Sequence, residues 1–112
     1  MKTVTILGIS GSLRAKSSNR ALLEIASGLT PTGVELQVDD TIGHLPLFNP
    51  DLADDAPPSV LEFRRRLAAA DAVLIASPEY AHGVTGAMKN ALDWLVGSGE
   101  FSGKPVAVIN TS

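Results

Sequence analysis

The chain has 112 residues, 45% of them hydrophobic, with a formal net charge of −3 and no cysteine. That length suits one domain with a moderate core. The mild acidity carries no nucleic-acid footprint, and the lack of cysteine excludes a disulfide frame, thiolate chemistry and a zinc ribbon.

His44 and His82 have no partners at metal-ligand spacing, so no metal site is expected. No run approaches membrane-spanning length, and the apolar start at residues 4–9 is too short for a secretory signal. The expectation is a cytoplasmic protein that binds neither nucleic acid nor membrane.

Residues 4–9 form an apolar run that reads as a buried strand. Directly after it comes Ser10-Gly11-Ser12-Leu13-Arg14-Ala15-Lys16-Ser17-Ser18-Asn19, directly before a helical pattern. A helix start offers free backbone N–H groups and a positive dipole end. Hydroxyls of Ser12, Ser17 and Ser18, the Asn19 amide and the Arg14 guanidinium add donors for phosphate oxygens. A phosphate-bearing ligand is one reading and a plain helix cap is the other. The segment's four serine hydroxyls, an amide and two cations exceed what a cap requires.

The ligand is not a dinucleotide of the G-x-G-x-x-G type, since no third glycine follows Gly8 and Gly11. Lys16-Ser17 resembles the end of a Walker loop, but Ala15 and Ser10 stand where its glycines belong. The strand at residues 72–76 also lacks a terminal Asp for magnesium, so nucleotide hydrolysis is not expected.

The helix at residues 19–29 is expected to bury Leu22, Ile25, Ala26 and Leu29. Pro31-Thr32-Gly33 ends it, and Val34, Leu36 and Val38 alternate with polar residues as in a strand with one wet face. An irregular stretch covers residues 39–58. Ser59-x-x-Glu62 then reads as a capping box opening a helix with Val60, Phe63, Leu67 and Ala70 on one face. Its Arg64-Arg65-Arg66 run is expected to be solvated.

Residues 72–76 are a wholly apolar strand. Val84, Met88, Ala91, Leu92 and Leu95 mark another helix closed by Gly97, and residues 106–109 a last strand. Apolar strands alternating with helices imply a parallel sheet covered on both faces, with ligands beyond the carboxyl ends of the strands.

Three segments together carry a resemblance. They are Gly11-Ser12-Leu13-Arg14-x-x-Ser17-x-Asn19, Pro78-Glu79-Tyr80, and Gly86-Ala87-Met88-Lys89-Asn90-Ala91-Leu92-Asp93-Trp94, with Leu45-Pro46-Leu47-Phe48-Asn49 beside them. In these the chain resembles the NADPH-dependent FMN reductase family of flavodoxin-like proteins. The resemblance implies an α/β, three-layer, doubly wound parallel sheet of order 2-1-3-4(-5).

It further implies that Ser12, Arg14, Ser17 and Asn19 hold the FMN phosphate, with backbone help from Ser10 and Ser18. Pro78, Glu79 and Tyr80 would border the flavin ring, His82 and Gly83 would continue that wall, and Ser112 would begin a third flavin loop. Lys89, Asn90, Asp93 and Trp94 would fall on a helix where the family forms its dimer, or simply pack and face solvent. The full-length form is expected to be a homodimer or larger.

The activity implied is ping-pong hydride transfer from NADPH or NADH to FMN and on to a small-molecule electron acceptor: a quinone, flavin, azo compound or metal oxyanion. No residue stands out as a dedicated acid or base, as befits cofactor-borne chemistry. A flavodoxin-like electron carrier and an inactive fragment are the alternatives. Residues 1–112 are expected to form one FMN-binding domain that lacks the fifth strand and last helices of the family. Residues 106–109 would then be an open, self-associating edge.

Overall fold

A computed structural model describes residues 3–11, 18–39, 41–52, 54–77, 85–95 and 103–110. In chain order these form β1 (Val4–Ser10), α1 (Ser18–Gly28), β2 (Val34–Asp39), α2 (Pro58–Ala69), β3 (Ala72–Ser77), α3 (Gly86–Leu95) and β4 (Val106–Asn110). Two short 3-10 turns, Thr41–His44 and Pro50–Leu52, break the expected irregular stretch. The four strands lie parallel in the order β2-β1-β3-β4.

β1 pairs with β2 from Val4↔Val34 to Ile9↔Asp39, and with β3 from Ile6↔Ala72 to Ser10↔Ala76. Strand order therefore reverses between β1 and β3, the place where a doubly wound sheet opens a crevice. Asp71 locks this register at the opposite end. Its Oδ2 accepts from Thr5 N at 2.8 Å and its own N–H donates to Thr5 O at 2.8 Å.

Side chains alternate across a strand, and the two faces of the sheet are covered differently. Leu7 and Ile9 of β1 and Val73 and Ile75 of β3 join Val60, Phe63 and Leu67 of α2 and Met88, Ala91, Trp94 and Leu95 of α3 in one core. On the other face α1 sets Leu23, fully buried, over Gly8. A side chain on Gly8 would lie 3.1 Å from Leu36 Cδ2 and 3.2 Å from Leu23 Cδ2, so α1 rides close to the strand.

The apolar stripe of α1 differs from expectation. Leu23 is its anchor, while Ile25 and Leu29 are 62% and 76% exposed. In β2, by contrast, Leu36 is buried and Glu35 and Gln37 face solvent, as the alternation predicts.

The capping box is also corrected. α2 begins at Pro58, with Pro57 as its cap residue and no side-chain capping bond. Proline preset at the first helical position does this work, and Pro57 O accepts from Val60 N at 3.0 Å. Glu62 instead accepts from Arg65 Nε at 2.9 Å, and that bond holds its carboxyl below the ordinary range. At the other end of α2, Lys104 Nζ donates to Ala70 O at 2.7 Å, a cation on the negative end of the helix.

Of the three arginines only Arg65 is a solvated side chain. Arg64 Nη2 donates to Trp94 O at 2.7 Å, tying α2 to α3. Arg66 Nη1 donates at 2.9 Å to Oδ2 of Asp39, which is fully buried. Asp39 Oδ1 accepts in addition from Thr41 N and Thr41 Oγ1, at 2.7 and 2.6 Å. A buried carboxylate is tolerated when charge and hydrogen bonds are both met, and here they fix the exit of β2.

β4 pairs with β3 alone, from Val73↔Val106 to Ser77↔Asn110, and is the edge of the described sheet. The exposures of Val106, Val108 and Ile109 are 46%, 67% and 36%.

Candidate functional site

The switch point of the sheet lies at the carboxyl ends of β1 and β3, and Gly11 is its hub. Gly11 N donates to Ala76 O at 2.8 Å, which extends the β1–β3 ladder by one bond. A Cβ at Gly11 would fall 2.4 Å from Ser77 Oγ and 2.7 Å from Ser77 Cβ, so only glycine lets the two strand ends meet. Thr85, the residue before α3, donates from Oγ1 to Gly11 O at 2.7 Å and accepts from Met88 N at 3.1 Å. Ser10, Ser77 and Thr85 are all buried.

Asn19 sits in the first turn of α1, only 2% exposed, and its Oδ1 has no hydrogen-bond partner among the described residues. Leaving a buried amide oxygen unmet costs about 1–3 kcal/mol. Such a group at a helix start, where the dipole and free N–H groups attract anions, is a candidate ligand contact.

The structure therefore brings Ser10 and Asn19 to this end of the sheet, and Ser18 opens α1. Ser12, Arg14 and Ser17, the ring-loop residues Pro78, Glu79, Tyr80, His82 and Gly83, and Ser112 lie outside the described residues, as do Val84 and Gly97. Gly11, Ser77 and Thr85 are described residues that flank those two segments in the sequence.

The segment after β2 is held by α3. Asn90 Nδ2 and Trp94 Nε1 both donate to Pro46 O, at 2.9 and 2.8 Å, and Asn90 Oδ1 accepts from Phe48 N at 2.8 Å. Phe48 stacks edge-on against the Trp94 ring, with centroids 5.0 Å apart. Asn90 and Trp94 thus pack inward, whereas Lys89 and Asp93 form an exposed i,i+4 pair.

A hollow of about 340 Å³ lies beyond β2, lined by Thr41, His44, Leu45, Ser59, Glu62 and Arg66. None of these belongs to the phosphate or ring segments. Among the described residues no group of His, Cys, Asp or Glu is placed to hold a metal. No described helix is long and apolar enough to cross a membrane.

Comparison with known proteins agrees with this architecture. Residues 4–112 match the NADPH-dependent FMN reductase family. An NAD(P)H-dependent FMN reductase of Pseudomonas aeruginosa is 46% identical over 112 residues, which span 97% of this chain and 60% of that protein. A quinone reductase of Pseudomonas putida is 43% identical over 108 residues, 91% of this chain and 56% of that one.

Among solved structures, FerB, a flavoenzyme NAD(P)H:(acceptor) oxidoreductase from Paracoccus denitrificans, superposes with a TM-score of 0.88 at 41% identity. The match covers 98% of this chain and 62% of FerB. The chain thus spans a little over half the length of the relatives it matches. Motifs, sheet order and these similarities converge: the chain belongs to the NADPH-dependent FMN reductase family, on a flavodoxin-like fold.

Proposed function

We propose that the chain is the FMN-binding part of an NAD(P)H-dependent oxidoreductase that passes electrons to a quinone-type acceptor. The observation that carries this reading is Asn19, buried at the start of α1 with an unmet side-chain oxygen. FMN offers ribityl hydroxyls that donate and phosphate oxygens that accept, so either orientation of the amide finds a partner. FMN, when bound, supplies the hydride chemistry, and the protein supplies binding and orientation.

Ser12, Arg14, Ser17 and Asn19, with the backbone of Ser10 and Ser18, are the residues proposed to hold the phosphate. Arg14 brings the positive charge and a bidentate donor pair. Pro78, Glu79, Tyr80, His82 and Gly83 are proposed to wall the ring, and Ser112 to contribute from beyond β4. The relatives supporting the acceptor class are the quinone reductases, which include NAD(P)H:quinone oxidoreductase of Solanum tuberosum, 43% identical over 96 residues.

Arg14→Ala tests the phosphate site. FMN binding should weaken by about 1.5–3 kcal/mol, the range for hydrogen bonds to a charged group. Riboflavin, which lacks the phosphate, should bind as before. Equal losses for both flavins, read by fluorescence titration, would remove Arg14 from the site. Oxidation of NADPH in the presence of FMN and a quinone tests the activity. A rate no higher than without protein would favour an electron carrier.

A further inference from the structure

Two loops are proposed to embrace the flavin, and their described ends converge on one hydroxyl. Gly11 is the last described residue before the phosphate segment, and Ser77 and Thr85 flank the ring segment. Gly11 is closely held: Ala76 O accepts from its N–H, Ser77 occupies the space a Cβ would need, and Thr85 Oγ1 donates to its carbonyl. We propose that Thr85 is a positioning residue for the flavin, whose hydroxyl ties the base of the phosphate segment to the base of the ring segment. This rests on the FMN reading above.

A helix cap alone would not account for what Thr85 does. Capping explains the bond from Met88 N at 3.1 Å. It does not require the second bond, which reaches across 74 residues to the end of β1. A threonine hydroxyl has one hydrogen, and here it is spent on Gly11 O while the oxygen accepts from Met88 N. Thr85 is 6% exposed, so water is poorly placed to replace that hydrogen. Taking the hydroxyl away leaves the Gly11 carbonyl without its donor at the point where the phosphate segment begins.

The consequence is a coupling between two halves of one ligand. Phosphate and ring are joined covalently in FMN, so a site binds both well only when its two segments keep a set spacing. The Thr85–Gly11 bond is a direct side-chain link between the described bases of the two segments. Riboflavin presents the ring without the phosphate and should sense the link less.

The test compares Thr85→Val, which keeps the shape and removes the hydroxyl, with Thr85→Ser, which restores it. Each is titrated with FMN and riboflavin well below its own melting temperature, and the visible band of bound flavin is recorded. Thr85→Val should lose about tenfold in FMN affinity, the worth of one buried hydrogen bond, with a smaller loss for riboflavin and an altered band shape. Thr85→Ser should stay within about twofold of the parent for both.

Should Thr85→Val not fold, Thr85→Ala takes its place with the same expectation. A lowered melting temperature with unchanged FMN affinity and unchanged preference over riboflavin would overturn the proposal and leave Thr85 a cap. Failure of the parent chain to bind FMN would instead overturn the reading on which the proposal stands.

Discussion

The two sides of the sheet obey different rules. Under α2 and α3, buried side chains from two helices, two central strands and the segment after β2 interlock around Trp94 and Phe63. Under α1 one leucine, Leu23, carries the contact, and Ile25 and Leu29 stand in solvent. The same sheet shows both styles because α1 approaches through Gly8, where backbone meets side chain, while α2 and α3 approach through the branched residues Leu7, Ile9, Val73 and Ile75. At the ends of β1 and β3 the structure relies on fit and hydrogen bonds. Under α2 and α3 it relies on bulk.

The contrast is open to being broken. Trp94→Ala should have the largest effect, a loss of about 3–5 kcal/mol in unfolding free energy. It empties a fully buried site and strips a donor from Pro46 O. Denaturant titration measures it, and a loss under about 1 kcal/mol would mean that the α3 side is less interlocked than its burial implies.

Gly11→Ala tests the opposite style. The new methyl would sit 2.4 Å from Ser77 Oγ, so the strand ends must part, at about 1–3 kcal/mol. Adding Ser77→Gly removes the obstructing atoms and should restore most of the loss. If the double variant is no more stable than the single one, contact with Ser77 is not what demands glycine.

Val108→Lys should change stability least, within about 0.5 kcal/mol, because the side chain is 67% exposed. A lysine on an edge strand discourages pairing with another chain. Light scattering should therefore show less self-association than in the parent, and equal scattering would acquit this edge.

Most of the fold was legible because the strands are written in apolar runs. Residues 4–9, 72–76 and 106–109 each needed only one more residue to become β1, β3 and β4. The face of α2 was equally plain, since Val60, Phe63, Leu67 and Ala70 are all buried. The phase of α1 was not. Counting apolar residues favoured Ile25 and Leu29, but the approach over Gly8 selects Leu23 with the polar Asn19 one turn earlier. Nor does an arginine run disclose that Arg66 reaches a buried Asp39, because that partner is set by the tertiary contact of α2 with the end of β2.

In the candidate site, Asn19 was legible from its motif, and the structure buries it at the start of α1. The Gly11–Ser77–Thr85 junction was not visible, as it joins residues far apart that carry no shared pattern. A threonine directly before a helix reads as a cap, and nothing local announces its second bond.

The register of β1 has a bearing on how the chain is made. Of the four described strands β1 is made first, yet its partner on the inner side is fastened by Thr5 and Asp71, 66 residues apart. Only the β1–α1–β2 unit is complete early, and it carries the thinner packing. The Trp94 core waits for α3, several seconds of elongation later at roughly 5–20 residues per second. Until α2 and α3 have both been made, the core face of Leu7 and Ile9 is only partly covered by its own chain, so the nascent protein shows apolar surface before it owns both helices that hide it.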